Sequence, residues 1–168
     1  MKSVIELSLP LEKSAIKALD IGDKVMLSGE MLVMRDAAHA KIHDMIAAGE
    51  ALPIDIQGQC IYYMGATPAT EGRPIGSAGP TTSKRMDSLT PMLLERGLIA
   101  TVGKGERSQA VYNALRQAGG VYFGAIGGAG AYYANCIKKC ELLAFPELLS
   151  EAICKITVKD FPVVVLYK

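Results

Sequence analysis

An α/β fold with parallel strand pairing is the class this sequence predicts, and three observations predict it. The first is a rhythm between 83 and 130: helical stretch, short apolar strand, glycine turn, then the same three again. Succession of that kind pairs strands in parallel through crossovers. The second is the start Met1-Lys2-Ser3-Val4-Ile5-Glu6-Leu7-Ser8-Leu9-Pro10, which alternates like a strand. The third is composition: 168 residues, half of them hydrophobic and 21% charged, suffice for one globular domain over 1–168.

Each element has a local reason. After the first strand comes a short mixed segment over 11–19, closed by Gly22, and then a strand over 24–29 that can extend to 33. Helix formers fill 35–46 and Gly49 stops them. Strands are expected over 52–56 and 60–64, split by Gly58, while the Gly, Pro, Ala and Thr of 65–79 mark a loop. A helix over 83–95 precedes a strand over 98–102, and a helix over 108–117 precedes a strand over 121–126. The last expected elements are a helix over 131–143 and a strand or hairpin over 155–167, bent or placed at an edge by Pro162. No internal repeat or low-complexity tract interrupts the chain.

Several classes are disfavoured. A formal net charge of +1 argues against a nucleic-acid partner. No run of about 18 apolar residues reads as a membrane span. The N-terminus lacks the apolar core of a signal peptide, so the cytoplasm is expected. Cys60, Cys136, Cys140 and Cys154 form no paired CxxC pattern and are expected to be reduced thiols. Cys136 and Cys140 can share a helix face, but no further Cys or His completes a tetrahedral site. His39 and His43 are an i, i+4 pair suited to zinc, yet Ala40 stands where H-E-x-x-H needs its glutamate, and a solvated helix face is expected.

The richest stretch is Gly79-Pro80-Thr81-Thr82-Ser83-Lys84-Arg85-Met86-Asp87. Thr81 or Thr82 can cap the helix that follows, which places Lys84 and Arg85 in its first turn, where cations oppose the dipole. A bound anion explains such placement, with backbone donors, hydroxyls and a guanidinium converging on a carboxylate or phosphate. The alternative is a capped surface helix with solvated charges. Arg35 and Lys104 also stand at loop–element junctions, and the glycines flanking Lys104 let a ligand approach the backbone. Neither GxxxxGK[ST] nor a strict GxGxxG is present. The residues thus indicate a small polyanionic ligand held by Arg35, Arg85 and Lys104, without naming a reaction.

Arg35-Asp36-Ala37-Ala38-His39, then Gly79-Pro80-Thr81-Thr82-Ser83-Lys84-Arg85-Met86, then Gly103-Lys104-Gly105 occur in an order and spacing that resembles the class I fumarase C-terminal domain. The same domain is the β subunit of two-subunit iron–sulfur hydro-lyases, including fumarate hydratase and L(+)-tartrate dehydratase. The resemblance implies a swivelling β/β/α domain and a [4Fe–4S] cluster held by three cysteines of a partner α subunit. It also implies an active site shared between the subunits. It makes Arg35, Arg85 and Lys104 substrate-binding residues and Thr81 the base that takes the C3 proton of malate. The expected function is reversible hydration of fumarate to (S)-malate, in an (αβ)2 assembly. Tartrate dehydration is the alternative within the family, and a non-catalytic anion-binding module the alternative outside it.

Overall fold

The computed structural model describes residues 3–168, so the first two residues of the N-terminal segment lie outside it. In chain order the elements are β1 (Ile5–Ser8), α1 (Lys13–Lys17), β2 (Lys24–Val33), α2 (Asp36–Ala47), β3 (Cys60–Tyr62), β4 (Met64–Ala66) and β5 (Ala78–Pro80). A 3-10 turn (Ser83–Met86) leads to α3 (Thr90–Glu95), β6 (Ala100–Gly103), α4 (Gln109–Ala118), β7 (Val121–Gly124) and α5 (Gly130–Cys136). β8 (Ile137–Ala144), a second 3-10 turn (Pro146–Glu151) and β9 (Ile153–Tyr167) complete it.

The result is a mixed α/β fold dominated by its sheet, and the sheet closes. Strands run in the order β1-β2-β3-β6-β7-β9-β8, and β9 also bonds β2. A strand has two edges. β2 gives one to β9 along Lys24–Val33 and divides the other between β1 and β3. β9 gives its second edge to β8 over its first half and to β7 near its end. β2, β3, β6, β7 and β9 therefore form a small barrel, with β1 and β8 as flanking strands. The expected parallel pairing holds for β1–β2, β2–β3, β3–β6 and β6–β7, whereas β9 is antiparallel to all three of its neighbours.

Strand periodicity sorts the core into two parts. Leu27, Met31, Cys60, Tyr62, Val102, Phe123, Phe161 and Val165 pack on one side of the strands. Their sequence neighbours Leu32, Ile61, Tyr63 and Tyr122 face the other side, where α2 (Ala38, Ile42), α3 (Leu93, Leu94) and α4 (Val111, Leu115) cover them. Gly29 is needed where β2 shifts register against β9: its φ is +128°, and a Cβ there would lie 2.6 Å from the Leu9 carbonyl oxygen.

Three expected elements differ. The region 83–95 is a 3-10 turn followed by α3, because Pro91 enters the first turn of α3 and cannot continue a helix from upstream. The expected helix over 131–143 ends at Cys136, and β8 takes its remainder, since pairing with β9 from Ile137 to Ala144 outweighs the helix propensity of Lys138-Lys139 and Glu141-Leu142-Leu143. Residues 52–56 form no strand, and only Ile56 of that stretch is buried.

Candidate functional site

Parallel strands deliver their carboxyl ends to one side, and the four residues singled out from sequence gather there. Arg35 follows β2 and occupies the N-cap position of α2. The Thr81 backbone N–H donates to the Tyr63 carbonyl (2.8 Å), just past the end of β3. Thr82 bridges to Lys104, and the Ser83 N–H donates to the Lys104 carbonyl (3.0 Å), so the segment after β5 is threaded against the end of β6. Arg85 lies one turn further on. The Lys104 side chain runs over the loop after β7: a Cβ at Gly127 would be 3.8 Å from its Nζ.

Neither threonine acts as the expected helix cap. Thr82 precedes a 3-10 turn and its side chain makes no capping bond, while Thr81 lies a residue earlier, held by its backbone and half-buried. The Ser83 hydroxyl is the buried one, donating to the Tyr122 hydroxyl at 2.9 Å, whose own proton goes to the Gly105 carbonyl at 2.7 Å. Burial raises the Tyr122 phenol to about 12, so it keeps the proton it donates to Gly105.

One carboxylate joins the two arginines. Asp36 Oδ2 accepts from Arg85 Nε (2.9 Å) and pairs with Nη2 at 2.7 Å. Its other oxygen lies 4.0 Å from Arg35 Nε, and Glu151 Oε1 lies 3.9 Å from the same nitrogen. These distances exceed hydrogen-bond length, and Arg35 Nε, Asp36 Oδ1 and Glu151 Oε1 are all buried without a hydrogen-bond partner. The Arg85 side chain is 50% exposed and Lys104 is exposed, so both cations remain open to a ligand.

Two further residues were not legible. His39, expected on a solvated face with His43, is 1% exposed beneath Arg35, whereas His43 is exposed. His39 Nδ1 is 2.8 Å from the Arg35 carbonyl oxygen, which can only accept, so Nδ1 carries the proton. Burial, above all, holds the imidazole down at about 4, against the opposing bond to Arg35. Arg107, buried on the loop before α4, donates to Asp87 Oδ1 (2.6 Å), Thr101 (3.1 Å) and Thr90 (2.8 Å) and lies over the rings of Tyr63 and Tyr122. The same Asp87 accepts from the Ser108 N–H, which begins α4. Arg107 ties the underside of the site together, and no local sequence signal separates it from a surface arginine.

The four thiols do not converge on one point. Burial raises Cys60 in β3 to about 12, Cys136 is buried at the end of α5, and Cys140 and Cys154 are diagonal neighbours on β8 and β9, where the contact lowers Cys140 to about 7. Among the described residues no group of three or more His, Cys, Asp or Glu side chains could hold a metal, and these residues do not fit an iron–sulfur cluster. A groove of about 600 Å³ lined by Lys13, Gln57, Arg96 and Gln117 opens at the far end of the barrel, before β3 and β6, away from this chemistry. No helix among the described residues is long and apolar enough to cross a membrane.

Fold and site together define an α/β domain that gathers cations and hydroxyls at the carboxyl ends of its parallel strands. Over residues 1–168 the chain belongs to the fumarase C-terminus family. It is 43% identical over 162 residues to fumarate hydratase 2 of Leishmania major, covering 94% of this chain and 28% of that one. It is 41% identical over 166 residues to the anaerobic class I fumarate hydratase of Escherichia coli, covering 96% and 30%. A Methanocaldococcus jannaschii protein assigned as the β subunit of L(+)-tartrate dehydratase is 34% identical over 156 residues, covering 90% and 80%. The chain thus spans about 30% of the length of the fumarate hydratases it matches, and most of the length of a separate subunit.

Proposed function

We propose that this chain is the β subunit of an iron–sulfur hydro-lyase that interconverts fumarate and (S)-malate. The observation that carries the reading is the gathering of Arg35, Thr81, Arg85 and Lys104 at one end of the barrel, in a member of this family. The reading includes the swivelling β/β/α domain, a cytoplasmic (αβ)2 assembly and a [4Fe–4S] cluster on the α subunit. This chain is inactive without that partner. Its own part is carboxylate recognition and proton movement.

Two guanidinium groups and an ammonium suit a C4 dicarboxylate. Arg85 offers the donors that Asp36 leaves free, Arg35 offers its terminal Nη groups, and Lys104 adds a point charge from the opposite loop. The same cations temper the charge that accumulates on the carboxylate adjoining C3 when its proton leaves. The Thr81 hydroxyl is the proton acceptor in this reading. A hydroxyl is a weak base, and positive charge from Arg85 and Lys104 lowers the cost of its deprotonated form.

Anaerobic assays of fumarate hydration and of malate and L-tartrate dehydration, with and without the cluster-bearing partner, test this reading. Activity only in the mixture is expected. Arg85→Ala should cost about 3–5 kcal/mol in kcat/KM, and near-normal activity would remove Arg85 from the site. Thr81→Ala should lower kcat far more than it raises KM; equal losses would make Thr81 a positioning residue. Tartrate is the second substrate reading, favoured by likeness to a free-standing subunit of tartrate dehydratase. Inactivity in a verified, cluster-loaded complex would leave an anion-binding module.

A further inference from the structure

The geometry points to Asp36 as a positioning residue that sets Arg35 and Arg85 as one array for the two carboxylates of the substrate. The inference rests on the reading of those arginines given above and concerns a residue which that reading leaves without a role. Asp36 is the only residue whose carboxylate contacts both guanidinium groups among the described ion pairs.

As a surface ion pair, Asp36–Arg85 would contribute little, because solvent screens it and two side chains are immobilised. The pair is part-exposed, but the atoms behind it are not. Asp36 Oδ1 and Glu151 Oε1 lie 4.0 and 3.9 Å from Arg35 Nε, and all three atoms are buried without a hydrogen bond. Unsatisfied buried polar atoms oppose stability, so folding energy does not account for this cluster. Orientation does. Arg85 presents Nε and Nη2 to a single Asp36 oxygen, which leaves its other terminal nitrogen uncommitted to Asp36. Arg35 presents Nε to the Asp36 and Glu151 carboxylates, which leaves its two terminal nitrogens for a ligand. Asp36 is itself fixed: it opens α2, where the helix N-terminus favours a negative charge, and His39 one turn later bonds the Arg35 carbonyl. The arginines are thus ordered before substrate arrives, which lowers the entropic cost of binding.

The test uses the chain in complex with its cluster-bearing partner, with cluster content and assembly verified for each variant. Steady-state malate dehydration is measured for wild type, Asp36→Asn, Asp36→Glu, Arg85→Ala and the Asp36→Asn/Arg85→Ala double variant. Asp36→Asn keeps the shape and removes the charge. It should lower kcat/KM by on the order of tenfold, mainly through KM, as lost preorganisation does. Asp36→Glu should recover part of that loss. In the Arg85→Ala background the effect of Asp36→Asn should shrink markedly, since a residue acting through another is non-additive with it. An unchanged or lower KM in Asp36→Asn would overturn the inference, as would an equal effect in both backgrounds. A silent Asp36→Asn beside a damaged Arg85→Ala overturns this inference alone. A silent Arg85→Ala overturns the reading of the site and this inference with it.

Discussion

His39 is neutral because its surroundings leave it no choice, and that has a measurable consequence for stability. Its Nδ1–H is committed to the Arg35 carbonyl at 2.8 Å and its Nε2 is buried without a partner. With the folded value at about 4 and the unfolded value near 6.5, the unfolded chain binds the extra proton first as pH falls. Stability from this residue is therefore complete above about pH 6.5, declines as pH falls, and levels off below about pH 4, for a total of about 3 kcal/mol. In urea titrations, wild type should lose more stability between neutral pH and about pH 4.5 than His39→Gln does. Equal losses would show that His39 is charged in the folded state. His39 also shows why residue-level reading succeeds for some positions and fails for others. Arg35, Thr81, Arg85 and Lys104 stand in local patterns, beside glycines, hydroxyls and element ends, so their placement was legible. The burial of His39 and the role of Asp36 depend on contacts made across the chain: Arg85 and Asp36 are 49 residues apart. Glu151 and Arg107 carry no local mark at all.

At the scale of elements, the joint between β6 and the segment after β5 decides whether the site keeps its shape. Gly103 ends β6 with no room for a side chain: a Cβ would run into the Ser83 hydroxyl and lie 2.9 Å from Tyr63 Cδ2. Ser83 is fixed from both sides, by its N–H to the Lys104 carbonyl and by the Tyr122 hydroxyl on its own. Gly103→Ala should therefore displace Ser83 and, with it, Thr81 and Lys104, costing about 1–3 kcal/mol in stability as overpacked cores do. Activity with the partner subunit should fall further than that loss of folded protein explains. Wild-type kinetics in this variant would mean that the joint does not position the site. Elements were legible where local signals agreed, as for β2, α2, β6, α4 and β7, whose glycines and apolar spacing fall at the observed ends. They were misread where tertiary pairing prevailed: Ile137–Ala144 has helix formers but finds an open edge of β9. Closure of the sheet was not legible, because a 15-residue strand shared among three partners leaves no mark on its own sequence.

The whole molecule has two unlike ends. At the carboxyl ends of the parallel strands stand Arg85, Lys104 and the loop 125–129, with Ile126 63% exposed there and Leu149 82% exposed two residues before Glu151. At the other end is the groove around Gln57 and Arg96. Apolar residues left in water beside a charged site are what a shared active site needs, since a partner that seals the site also dries it. In the two-subunit reading, the partner covers the first end and leaves the second open. Hydrogen exchange followed by mass spectrometry, on this chain alone and in the complex, separates the ends directly. Exchange should slow over 81–86, 104–107 and 125–130 on complex formation, because those amides lie in turns and loops of low intrinsic protection. It should stay the same over 55–58 and 95–98. Protection confined to the groove would place the partner at the far end of the barrel. Arg35, Thr81, Arg85 and Lys104 would then face solvent in the assembled protein, and a shared active site at this end would be ruled out.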